Sequence, residues 1–200
     1  MKVATHARFQ KIREQLRETA AELFQPWNGT AYRVTTIQYS SPKSILLGQG
    51  SFLHGGRWNA MGSCRAVYGS TEDTVAVAES RATAEYAHVP LPFRTPRLLV
   101  AIELSLQRVL DLTSNKVRQT LDLTLEELRA EDWRKVQEEE TESFTQAIGR
   151  AIFVNRGEGL LATSARVPSG INVVYFPENQ QRGSSVQVLE SEKLERIRFV

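Results

Sequence analysis

Apolar residues recur at three- and four-residue steps through residues 4–25. Phe9, Ile12, Leu16, Ala20 and Leu23 form the stripe, with Lys11, Arg13, Glu14, Arg17 and Glu18 elsewhere on the wheel. The spacing predicts an amphipathic helix ended by Pro26 and the Asn28-Gly29 pair, which either docks on its own core or serves as a partner-binding arm. TAYRVTTIQ (30–38) is rich in β-branched and aromatic residues and predicts a strand. YSSPKSILLGQG reads as an irregular connector, and SCRAVYGS (63–70) as a short strand centred on Arg65–Tyr68. Thr71 has the chemistry of a helix N-cap, with Glu72 and Asp73 in the first turn, where the helix dipole favours acids. The helix predicted from there runs through TVAVAESRATAEYAHV and stops before Pro90. TPRLLVAIELSL (95–106) is a near-continuous apolar run, which predicts a strand buried on both faces.

Residues 114–154 have a helical texture. Thr124–Glu127 fits a capping box, ETESFTQAIGRAIFV reads as a further helix, and Glu138–Glu140 between them as a solvated face. After Asn155-Arg156-Gly157 the pattern returns to short strands: GLLATSA, INVVYFP and SVQVLES. This order is α+β, because the strands are too irregularly spaced for a doubly wound sheet. The division expected is an N-terminal helical extension over 1–28 and a catalytic domain over 29–200, with the helical segment at about 114–154.

Composition narrows the function classes. Two hundred residues suffice for a substantial core, and no apolar run approaches the roughly 20 residues of a membrane span. With no secretory leader pattern and a single cysteine, Cys64, a cytoplasmic protein without membrane contact is expected. That cysteine and His6, His54 and His88 cannot build a Cys/His metal cage, so no metal is expected. Net charge is +2, but the first hundred residues carry a basic excess and the second hundred an acidic one. That excess would attract an anionic ligand or nucleic acid; basic residues are not interleaved with aromatics, so direct nucleic-acid binding is not expected. No phosphate-binding P-loop and no dinucleotide glycine fingerprint is present.

Candidate chemistry concentrates in residues 50–80, which hold five glycines. Gly55-Gly56 permits a sharp turn and close ligand approach. Arg57 could grip a diphosphate with its fork of donors. Trp58 offers a plate to a ring or to the core, and Asn59 can tie the loop to itself. A tight turn with a surface arginine and a buried tryptophan accounts for the stretch equally well. Tyr68, at a strand end facing a helix start, could stack on a ring or be plain core. Glu79 falls on the helix side that carries Val75, Ala76 and Ala82, where an unpaired carboxylate is costly and calls for an arginine partner or a function. Glu85 competes with it, although an ion pair with Arg81 would explain Glu85. Ser164 in TSAR (163–166) lacks the neighbours of a catalytic triad; it reads as a hydrogen-bond donor to a ligand or a strand cap, with Arg166 at the surface.

Together, Tyr32-Arg33 on a strand, GGRWN at 55–59, Tyr68 before an acid-capped helix, Glu79 inside it and TSAR before INVVYFP resemble the RES domain family, the toxins of bacterial RES–Xre toxin–antitoxin pairs. The resemblance spans roughly residues 30–190. It implies an ADP-ribosyltransferase-like fold, mixed sheets flanked by helices, and degradation of NAD by hydrolysis or phosphorolysis at the nicotinamide bond. It assigns catalysis to Arg57, Tyr68, Glu79 and Ser164, and NAD contacts to Tyr32, Arg33, Gly56, Arg57, Trp58 and Asn59. The family usually has Pro-Ser-Ala where this chain has Thr163-Ser164-Ala165. NAD is then a substrate and no cofactor is expected. The implied partner is an Xre-type helix-turn-helix antitoxin, and homodimerisation is left open. Two readings compete: ADP-ribose transfer to a protein, and a non-catalytic RES-like binding module.

Overall fold

The first helix is shorter than its apolar periodicity. In the computed structural model, which describes residues 3–86 and 96–194, α1 (Phe9–Glu18) stops at Thr19 and a single turn, α2 (Ala20–Leu23), follows. From Phe24 the chain is already extended as β1 (Phe24–Thr36). Pro26 therefore sits inside a strand, at the register irregularity between Gln25 and Trp27, where a missing N–H is tolerated. The stretch expected to be an irregular connector holds two short helices, α3 (Pro42–Leu47) and α4 (Gln49–His54). Ser41 caps the first by accepting the Ser44 N–H, with Pro42 in the first turn. Gly48, at φ 65°, ends α3 and starts α4, a conformation that glycine adopts without strain.

After β2 (Val67–Ser70), α5 (Asp73–Tyr86) begins two residues beyond Thr71, whose N–H instead bonds the Ile171 carbonyl at 2.9 Å. The end predicted before Pro90 lies outside the described residues. In β3 (Arg97–Asp111), Val100, Ile102, Leu104 and Leu106 are buried while Leu99, Glu103 and Gln107 are exposed. Burial on both faces is thus not what forms; this strand has mostly antiparallel neighbours and one covered face, so burial alternates. The helical segment comprises α6 (Asn115–Thr120), α7 (Leu125–Ala130), α8 (Trp133–Glu138) and α9 (Phe144–Val154). The Thr124/Glu127 capping box forms, and a second one, Ser143/Gln146, opens α9. The chain continues through β4 (Gly159–Thr163), β5 (Ile171–Tyr175), β6 (Ser185–Val188) and α10 (Ser191–Leu194).

The strands form one mixed sheet in the order β1-β2-β5-β4-β3-β6, in which only β3 and β4 run parallel. β1 also pairs with β3 from Phe24↔Leu110 to Thr36↔Arg97, so the pairings return on themselves. The seam between β1 and β2 is a single residue pair, Tyr32↔Ser70. Alternation then separates two cores. Val67, Leu161, Val173 and Tyr175 meet Ala31, Ile102 and Leu104 on one side. Leu160, Ala162, Val174 and Phe176 meet Phe9, Ile12, Leu16, Ile148 and Ile152 of α1 and α9 on the other. The class is α+β, with helices flanking a mixed sheet. The amphipathic helix docks on this core: the buried Glu142 carboxylate holds Arg150 at 2.6 and 2.7 Å and the His6 N–H at 3.1 Å. Among the described residues no helix is long and apolar enough to cross a membrane.

Candidate active site

Strand alternation puts Tyr68 and Ser70 of β2 and Asn172 of β5 on the helical side of the sheet, with Ser164 just past the end of β4. Helix α5 lies beside β1, β2 and β5 and supplies Glu79. Ser164 Oγ donates to Glu79 Oε1 at 2.6 Å, Asn172 Nδ2 donates to the same oxygen at 3.0 Å, and Ser70 Oγ donates to Asn172 Oδ1 at 2.8 Å. Buried Ser164 also accepts the N–H groups of Arg166 and Val167, both at 3.0 Å, so its one proton is committed to Glu79. This explains a carboxylate on an apolar helix face: neutral donors satisfy one of its oxygens. Oε2 accepts no hydrogen bond from the described residues. Glu85 is exposed and forms no ion pair with Arg81, so exposure rather than that pair accounts for it.

The GGRWN loop is tied from inside. Tyr68 OH donates to Asn59 Oδ1 at 2.7 Å and accepts the Trp58 N–H at 2.9 Å. Asn59 Nδ2 reaches the carbonyls of Ser51 (2.9 Å) and Cys64 (3.1 Å). Gly56 must lack a side chain, because a Cβ there would lie 2.7 Å from Tyr68 Cζ. Trp58 and Asn59 are both buried, so the tryptophan belongs to the helical core and the asparagine is the loop's own tie. The Tyr68 hydroxyl is spent on the loop, not at the surface, and burial pushes its pKa up. Burial likewise pushes the Cys64 thiol up to about 12, keeping it protonated. Tyr68→Phe leaves the Trp58 N–H and Asn59 Oδ1 without their partner. It is expected to cost about 1–3 kcal/mol in urea denaturation; unchanged stability would show that the tie is absent in solution.

Arg57 extends from this loop to the Leu128 carbonyl in α7, with its guanidinium 5.5 Å from the Trp58 ring centre. Burial lowers its pKa, while Glu79 and Tyr68 act in the opposite direction. Arg33 Nη1 donates to the Tyr68 carbonyl at 2.7 Å; its Nε is buried and has no partner among the described residues, and burial lowers its pKa as well. Tyr32 sits directly opposite Ser70 and shares its face, whereas Arg33, the next residue, starts from the other. Helices α8 and α9 close the loop from behind: Gln137 Nε2 bonds the His54 carbonyl at 3.0 Å, and Gln146 Nε2 the Gly56 carbonyl at 3.1 Å. A Cβ on Gly149 would overlap the Trp58 carbonyl.

The structure thus brings Ser164 to Glu79, and Tyr68 to Trp58 and Asn59, and Glu79 raises the Arg57 pKa against the effect of burial. Sequence reasoning missed Asn172, Ser70 and Gln146. Asn172 was detectable as a lone amide in the apolar INVVYF run, and Gln146 as the fourth residue of an S-x-x-Q capping signature. Ser70, a small polar residue at a strand end, carries no such mark.

Comparison with known proteins bears on this arrangement. The RES domain model matches residues 30–197. Two curated relatives, NAD(+) phosphorylase MbcT of Mycobacterium bovis and of Mycobacterium tuberculosis H37Rv, are each 26% identical over 168 residues, which is 82% of this chain and 82% of theirs. The crystal structure of the M. tuberculosis MbcT–MbcA toxin–antitoxin complex contains a chain of the same fold. It matches with a TM-score of 0.65 at 21% identity, covering 94% of this chain and 96% of that one.

Proposed function

Because the chain belongs to the RES domain family, we propose that it is an enzyme that destroys NAD at the nicotinamide–ribose bond and is held in check by an antitoxin. The observation that carries this reading is the Glu79 carboxylate, fixed at Oε1 by Ser164 and Asn172, with Oε2 unspent. Nicotinamide on NAD is a cationic leaving group: the C–N electron pair neutralises the ring as the bond breaks, and no general acid is needed. One carboxylate therefore suffices, where a neutral glycoside uses two. Glu79 stabilises the oxocarbenium-like transition state or orients the attacking oxygen of water or phosphate. Arg57 holds the diphosphate, with Tyr32 and Arg33 as further contacts; Gly56, Trp58, Asn59 and Tyr68 keep Arg57 in place. Ser164 and Asn172 are positioning residues.

The relatives support both halves of the proposal. MbcT is named an NAD(+) phosphorylase, and its solved structure is a complex with the MbcA antitoxin. For this chain the partner proposed is an Xre-type helix-turn-helix antitoxin, the site of action the cytoplasm, and the catalytic unit residues 29–200, alone or as a homodimer. The test follows ribose-labelled NAD with and without phosphate. Nicotinamide release with small labelled products is expected, either ADP-ribose or its 1″-phosphate. Label on protein would indicate ADP-ribosyl transfer instead, and NAD left intact would indicate a binding module.

A further inference from the structure

Three more arginines stand on separate segments that adjoin Arg57 and Glu79. The Arg166 N–H lies 3.0 Å from Ser164 Oγ, itself 2.6 Å from Glu79, and its side chain is exposed. Arg129 follows Leu128, whose carbonyl Arg57 holds. The Arg134 guanidinium is 4.4 Å from the ring centre of Trp133 and 4.5 Å from that of Tyr86. Tyr86 is on α5 seven residues after Glu79, hence on the same face about 10 Å along the axis. Burial lowers the pKa of Arg57 and of Arg134; Arg129 and Arg166 add to this at Arg57 and Arg166 at Arg134, while Asp132, Tyr86 and Glu79 raise that of Arg134. Among the described residues none of the four arginines forms an ion pair, whereas cations of α1, α6 and α9 do. Arg129 and Arg166 are exposed and Arg134 is half-buried, and guanidinium groups brought together repel one another unless an anion joins them.

We infer that Arg129, Arg134 and Arg166, with Arg57, form a rim that binds phosphoryl oxyanions beside Glu79. Two sources carry this chemistry: the diphosphate of the dinucleotide, and free orthophosphate. Planar guanidinium forks suit both, and the aromatic faces of Trp133 and Tyr86 fix the orientation of Arg134. If orthophosphate is the ligand, one of its oxygens bonds to the ribose carbon as the C–N bond breaks and the electron pair leaves with nicotinamide. No external proton donor or oxidant enters.

The choice between sources rests on the NAD reading; the anion site does not. Calorimetry with orthophosphate and with pyrophosphate therefore tests it without turnover, on wild type and on the double variant Arg129→Gln/Arg134→Gln. Binding to wild type and about 10- to 100-fold weaker binding to the variant is expected, the loss of one or two charge-assisted contacts. Arg166→Gln, on an exposed side chain, replaces the double variant if that protein does not fold. In turnover, a raised KM for phosphate alone identifies the rim as the acceptor site, and a raised KM for NAD alone as the diphosphate site. Wild type binding neither probe, or variants binding as wild type does, overturns the inference. Probes that bind to a protein leaving NAD intact would uphold the rim and remove only the NAD reading.

Discussion

Glu79→Gln lowers kcat for NAD consumption about 100- to 1000-fold, the usual loss when one preorganised charge aimed at a transition state is removed. The substitution isolates charge from shape. A glutamine oxygen at the Oε1 position still accepts from Ser164 Oγ and Asn172 Nδ2, the bonds that fix the carboxylate now. Only the unbonded oxygen changes, from an anion to a neutral amide. The variant should therefore unfold within a few degrees of wild type while turnover collapses, so kcat and thermal unfolding are measured on the same preparation. Wild-type kcat would remove Glu79 from the chemistry. A large loss of stability alongside the loss of rate would make the carboxylate a structural group. Glu85→Gln, on an exposed side chain, is the matched control and should leave both quantities unchanged.

Gly149→Ala has the second largest expected effect, although Gly149 touches no ligand. The added methyl group would overlap the Trp58 carbonyl oxygen and lie 2.7 Å from the carbonyl carbon, both backbone atoms that cannot swing aside. Either α9 retreats from the core it shares with α1, or the loop carrying Arg57 moves. Overpacking of this kind costs about 1–3 kcal/mol. A displacement of the order of 1 Å at a positioning group costs about 100-fold in rate. Thermal unfolding and kcat should fall together; a fully stable and fully active variant would mean that α9 does not press on Trp58.

Which of these features the chain announces depends on the range of the interactions. The capping box at Thr124 and the amphipathic stripe of α1 are local and were legible. The order of family motifs named Arg57, Tyr68, Glu79 and Ser164 together, and of these the structure bonds Ser164 to Glu79. The two six-residue helices α3 and α4 were hidden because each is too short to show periodicity, although Ser41-Pro42 and Gly48 were usable signals. β1 was begun six residues late because Pro26 and Asn28-Gly29 look like breakers until a bulge is known to accommodate the proline. Within the site, long-range bonds were invisible: Asn172 lies 93 residues from Glu79 and Gln146 lies 90 from Gly56. Arg129 and Arg134 carried no motif, and Arg166 entered only as the surface end of TSAR, because their meaning comes from convergence in space.

The docking of α1 against α9 has a consequence for when activity can begin. The His6 N–H bonds Glu142, 136 residues later in the chain. At about 5–20 residues per second, the ribosome delivers that partner roughly 7–27 s after His6. During that interval Phe9, Ile12 and Leu16 lack Ile148 and Ile152 of α9, which share their core. The Arg57 loop is backed by Gln146 and Gly149, and Glu79 by Ser164 and Asn172, so a shorter delay of the same kind applies to the site. A nascent chain of this protein is assembled into a working form only once Asn172 has been made, which leaves the translating cell a window before the first competent molecule exists.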